Sequence, residues 1–147
     1  MVDPRRLPEG VRVAVTACYE EKGYSCTHTV LEILGRYFDF PVPPQVMDAA
    51  SGLHGAGRYG AQCGLVEGVL MFIGLRSCAL GYDQSHIESL SSDWAAHFER
   101  CFGSLICREL RPEGFGHSVP PLKCLSLTVS AVKEAISVTA PFFPLTR

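Results

Sequence analysis

What the chain lacks narrows it first. It has no apolar run of the ~18 residues that a membrane-spanning helix needs, because Glu67 interrupts the best candidate. It has no block of basic residues and its formal net charge is −2, so a nucleic-acid partner is not expected. The opening Met-Val-Asp-Pro-Arg-Arg-Leu-Pro carries no apolar stretch behind its charges, so no secretory signal is read there and a cytoplasmic protein is the expectation. No segment shows sustained alternation of polar and apolar residues, which removes the usual sign of half-buried strands. There is no Cys-x-x-Cys, hence no zinc-ribbon, ferredoxin or thioredoxin spacing, and no Cys-x-x-Cys-His for covalent haem. Charged residues make up only 19% of the chain, too few for a disordered polyelectrolyte.

What is present is apolar and rich in thiols. The 147 residues are 47% hydrophobic and include seven cysteines, enough chain for one domain with a real core (1–147, with its core over 24–140). In a reducing compartment such a thiol count points to metal binding or redox chemistry rather than to staples. Small buried hydrophobes are the plainer reading.

Helical periodicity organises the chain. Val11, Val15, Cys18 and Tyr19 share a face of a first helix that closes before Gly23. Ser25 can cap a second, whose stripe is Cys26, Val30, Ile33, Leu34 and Tyr37. Prolines 41, 43 and 44 stop it and start a short third helix over 45–50. A glycine-rich loop follows, with Gly52, Gly55, Gly57 and Gly60, and feeds an apolar helix over about 61–75. Gly60, Gly64 and Gly68 recur every fourth residue, so one face of that helix can approach a neighbour or a bound group closely. Residues 76–82 read as a turn containing Cys78. Asp83 can cap a long helix carrying Ile87, Leu90, Trp94, Phe98 and Cys101, and Gly103 ends it. Ser104 can cap a short helix over 105–110. Pro120 and Pro121 stand where a last helix would begin, with Cys124 in its first turn and Pro141 and Pro144 at a frayed end. The expected fold is all-α: one compact bundle of about five to seven helices with a glycine-rich loop.

On this reading Cys26, Cys63, Cys107 and Cys124 each fall in a helix's first turn. Free N–H groups and the helix dipole there favour a thiolate, the form that attacks and that binds metal. Four such cysteines, if they converge, suit an anionic iron–sulfur cluster or a reactive dithiol pair. Cys18 reads as core, Cys78 as loop and Cys101 as a helix end. Glu67 shares a face with Cys63 and could take its proton or pair with Arg58, though a solvent-facing role is the simpler one. His28 and His54 lie near the candidate ligands, and hydrogen-bonded or exposed roles are simpler for both. Arg108 could steady the Cys107 thiolate or pair with Glu109 or Asp93. His86, His97 and His117 belong to no constellation visible along the chain. The glycine loop lacks the lysine and preceding strand of a phosphate cradle.

Cys63-Gly64-Leu65-Val66-Glu67-Gly68 resembles the central Cys-Gly-Ala-x-x-Gly motif of the C_GCAxxG_C_C family of redox-active proteins. Cys26 matches the family's first cysteine, and Phe98-Glu99-Arg100-Cys101-Phe102-Gly103-Ser104-Leu105-Ile106-Cys107-Arg108-Glu109-Leu110 resembles its Phe…Phe-Gly-Ser…Cys-Arg-Glu-Leu segment, which carries the third. Cys124 fits the fourth, and 49–58 resembles its glycine-rich loop. The likeness covers roughly 24–135. Leu65 departs from the family's alanine, and His54 from the loop's usual glycine-rich wording. The family is similar to the cysteine-bearing part of split-Soret cytochromes. By that resemblance Cys26, Cys63, Cys107 and Cys124 would ligate a [2Fe-2S] or similar iron–sulfur cluster, with Gly55, Gly57, Gly60 and Gly64 packed against it. Zinc, or no cofactor and a reversible disulfide among the same cysteines, stays open. So do the redox partner and a homodimer.

Overall fold

A computed structural model describes Leu7 and residues 9–114 and 124–145. The described residues are helical, without a strand; one isolated antiparallel bridge pairs Gln62 with Ile106. The elements are α1 (Val11–Glu20), α2 (Cys26–Tyr37), α3 (Pro44–Ala49), a single turn α4 (Gly55–Arg58), α5 (Gly64–Ala79), α6 (Gln84–Phe102), the one-turn α7 (Cys107–Leu110) and α8 (Leu125–Thr139). No helix of the described residues is long and apolar enough to cross a membrane.

Helices α2 and α5 form the centre. Ser25 caps α2 by accepting a hydrogen bond from the His28 N–H, as Asp83 caps α6 by accepting from His86. α5 is mostly apolar, with Glu67 and Arg76 its only charged residues, and packs against both α2 and α6, the pattern of a largely buried helix. α8 leans on α1, α2 and α6. Phe38, Phe72 and Phe143 meet with ring centroids 5.7–5.9 Å apart, and Trp94 and Phe98 fill the α6 side of the core.

Several boundaries differ from expectation for local reasons. α5 starts at Gly64, because 61–63 are held extended by pairing with 105–108. It also runs on to Ala79, so Cys78 sits exposed on its last turn rather than in a loop. The stop is Gly81, at φ +77°, with Tyr82 N–H bonded to Ser77 O; Gly74 keeps helical backbone and stops nothing. α7 shrinks to one turn, since the Ser104 hydroxyl accepts from Ile106 N–H and donates to Glu109. Residues 141–145 are docked, not frayed. Phe143 is buried, Arg76 donates to Pro144 O, and Tyr82 OH donates to Phe142 O. Leu7, in the expected polar lead, is buried against the core. Pro120, Pro121 and His117 lie outside the described residues.

The close approach foreseen for the glycines is made by a helix. A Cβ on Gly68 would lie 2.2 Å from Val30 Cγ1 and 3.0 Å from Thr27 O, both on α2. One on Gly64 would lie 2.4 Å from Cys26 Sγ. Gly60 belongs to the loop, not to this face. Gly68→Ala should therefore cost about 1–3 kcal/mol by overpacking. Gly74→Ala, with nothing within 4 Å of the added carbon, should gain up to about 1 kcal/mol from helix propensity. Urea denaturation of the two variants checks the opposite signs.

Candidate functional site

Four short pieces of chain carry the four cysteines. Cys26 is the first residue of α2 and Cys107 the first of α7, while Cys63 and Cys124 are the residues just before α5 and α8. Two of the pieces are tied directly: Cys63 N–H donates to Leu105 O (2.8 Å), Cys107 N–H to Ala61 O (2.7 Å) and Arg108 N–H to Gly60 O (3.1 Å). This small antiparallel pairing holds Cys63 beside Cys107. Cys26 reaches them through the contact between α2 and α5 at Gly64.

The glycine loop is a left-handed turn. Gly55, Ala56, Gly57 and Arg58 have φ of +66°, +53°, +67° and +70°. Such backbone costs about 1–2 kcal/mol for each residue with a side chain, here Ala56 and Arg58. Backbone bonds hold it: Arg58 N–H to His54 O, Tyr59 N–H to Ala56 O, and Gly60 and Ala61 N–H both to Gly55 O. Gly55 thereby comes so close to Cys107 that a Cβ would sit 3.2 Å from its Sγ. Arg108 closes the other side, donating to Tyr59 O, stacking over the Tyr59 ring at 5.1 Å and packing on Gly60. It clamps the loop; neither Glu109, which bonds Ser104, nor Asp93 is its recorded partner.

All four cysteines line one cavity of about 100 Å³. Its other walls include Tyr19, Leu65 and Leu127, with His54, Arg58 and Arg111 as polar members. Of the four glycines assigned to cofactor packing, none lines the cavity. Gly55, Gly60 and Gly64 let its walls approach, and Gly57 supplies only its positive φ. Leu65 is buried and fills a wall, so the larger side chain is accommodated. Cys18 is core as expected.

The helix-start argument for thiolates is overturned. Burial raises all four thiols, Cys26 and Cys63 to about 12; neighbouring cysteines of the set add to this at Cys26, Cys63 and Cys107, and Glu113 at Cys124. Desolvation outweighs the helix dipole because α7 is one turn long and the sulfurs face an apolar cavity. Arg111 works the other way, pulling Cys107 and Cys124 down and bonding the Cys124 sulfur. Tyr19 is raised by burial and by Cys26, and bonds Thr128 at 2.9 Å.

The remaining candidates sort by their partners. His28 Nε2 meets Met47 O at 2.9 Å and its Nδ1 meets Ser25 Oγ at 3.2 Å, so it ties α2 to α3. His54 lines the cavity; its Nδ1 is buried without a hydrogen-bond partner, and burial, then Arg58 and His28, lower its pKa. Glu67 is half-buried, raised by desolvation and bonded to Gln62 rather than to Arg58. Sequence reasoning missed Arg111 and Tyr19 as site residues. A signal existed for Arg111, which is four residues after Cys107 and donates its N–H to Cys107 O. Tyr19 reaches the cavity from the last turn of α1, where its place on the apolar face read as core.

The four sulfurs surround the cavity without gathering at one point. No three of them lie within 4.8 Å of one another. In a closed tetrahedral zinc site, bonds of about 2.3 Å would put them about 3.8 Å apart.

The family described as "Putative redox-active protein (C_GCAxxG_C_C)" matches residues 24–138. No curated protein and no solved structure matches the chain.

The raised thiols set a pH dependence. Thiols near 9 when unfolded and near 12 when folded stabilise the reduced, metal-free protein fully below about pH 9 and lose that contribution as pH climbs toward 12. Urea melts at about pH 8 and pH 10.5 should show the loss, and Cys26→Ser/Cys63→Ser should flatten it. An equal slope in that variant would contradict the assignment.

Proposed function

The chain belongs to this redox-active family, and from its cavity we propose that Cys26, Cys63, Cys107 and Cys124 hold an iron–sulfur cluster of the [2Fe-2S] kind for electron transfer. The observation that carries this reading is the single cavity lined by all four sulfurs. Their spread favours a centre with more than one metal atom, whose thiolates need not meet at one point, over a lone zinc ion. The donor set is soft throughout, as such clusters require.

The chain's own residues fit that load. Binding would displace four protons, which buried thiols with raised pKa values release only to a strong cationic centre. Arg111 bonds one sulfur and faces a second, and Arg58 is a further cation at the wall, so negative charge in the cavity meets two guanidinium groups. Leu65, Leu110 and Leu127 restrict water, and low solvation with nearby cations is how a protein tunes such a potential. The bound cluster would supply one-electron chemistry. A metal-free thiol–disulfide role is less well supported, because the attacking species would be a thiolate and burial disfavours it here.

Purification without air, followed by assays of iron, acid-labile sulfide, zinc and free thiols, tests the reading. A brown protein with iron and sulfide is expected. Cys63→Ser should lose most of both, and Cys18→Ser should keep them. Zinc without sulfide, or a colourless protein that loses two thiols on mild oxidation, would overturn it.

A further inference from the structure

A second donor set lies outside the cavity. His97 and Cys101, four residues apart, share a face of α6, and Glu134 faces them from α8. The His97 Nε2 to Glu134 Oε2 distance is 2.7 Å and Cys101 Sγ to His97 Nε2 is 3.5 Å. All three ligand atoms lie within 4.8 Å of one another. No constellation was visible for His97 along the chain, because one partner comes from a helix 37 positions later.

Two arrangements could explain a thiol, an imidazole and a carboxylate in contact. In a nucleophilic relay the carboxylate orients one ring nitrogen and the thiol meets the other. Here both groups converge on the same atom, Nε2, so the relay is not formed. One cation, by contrast, can accept all three. A tetrahedral centre with metal–nitrogen and metal–sulfur bonds of about 2.0 and 2.3 Å sets those two donors about 3.5 Å apart, the separation observed. Glu134 Oε2 would have to withdraw by roughly half an ångström to reach such a geometry, and its side chain is 40% exposed. Thiolate and carboxylate together carry two negative charges, which match a dication.

We propose that His97, Cys101 and Glu134 form a second metal site, selective for a borderline-soft dication such as Zn²⁺, with its fourth position open to water. Binding would remove the Cys101 thiol proton to solvent and form metal–sulfur, metal–nitrogen and metal–oxygen bonds, with no change of oxidation state. The ion would clamp α6 to α8. Cys101 stands six residues before Cys107 and Glu134 ten after Cys124, so the clamp braces the two elements that lead to half of the cavity's sulfurs.

Timed alkylation of the folded, reduced full-length chain, read cysteine by cysteine by peptide mass spectrometry with and without ZnCl₂, tests this apart from any cofactor in the cavity. Zn²⁺ should slow Cys101 at least about tenfold, the lower end of what loss of a metal-site partner costs, and leave exposed Cys78 unchanged. His97→Gln and Glu134→Gln, both at half-buried positions, should each abolish or strongly weaken the protection while the far-UV circular dichroism stays unchanged. Equal Cys101 rates with and without Zn²⁺, or protection that survives both substitutions, would overturn the proposal. Cys63→Ser should leave the protection intact, and its loss there would also count against a separate site.

Discussion

Helices α2 and α5 can meet as closely as they do only because two positions on α5 carry no side chain. At Gly64 even one carbon would fall 2.4 Å from the Cys26 sulfur, and at Gly68 one would fall 2.2 Å from Val30. That contact brings the start of α2 against the start of α5, and so Cys26 towards Cys63. The other connections build on it. The pairing of 60–63 with 105–108 adds Cys107, and the left-handed turn at 55–58 fits under the same residues. Cys124 comes last, at the head of a helix that already leans on α1 and α2.

Much of the fold was legible because it rests on local chemistry. Ser25 and Asp83 acted as caps where a short polar side chain precedes an apolar period, and Gly103 ended α6 in left-handed backbone. What escaped notice was decided at a distance. The late start of α5 depends on backbone bonds to a segment more than forty residues away, and the docking of 141–145 depends on Phe143 finding Phe38 and Phe72. The gathering of the four cysteines was readable from motif and order. The arginine beside them was signalled only by its spacing from Cys107, and a residue that opens a loop reads as solvent-facing.

Charge at the site reverses the simplest sequence argument. A helix start does favour a thiolate, but the effect reaches only the first turn and is modest, whereas removal from water acts on every buried sulfur and is larger. The chain on its own therefore holds a nest of neutral thiols. That disfavours nucleophilic attack by the free thiols and favours partners that bind sulfur strongly enough to displace protons. The strain at Ala56 and Arg58 belongs to the same arrangement, because backbone held in left-handed geometry is what puts Gly55 against Cys107.

The placement of Arg111 gives the cavity a polarity. Cys26 and Cys63 are raised by burial and by other cysteines, while Cys107 and Cys124 share a guanidinium that pulls them down. Negative charge arriving there will not spread evenly among four equivalent sulfurs. It will be drawn to the Arg111 flank, so the four sulfurs are not electrostatically equivalent and the chamber has a charged side and a less charged one.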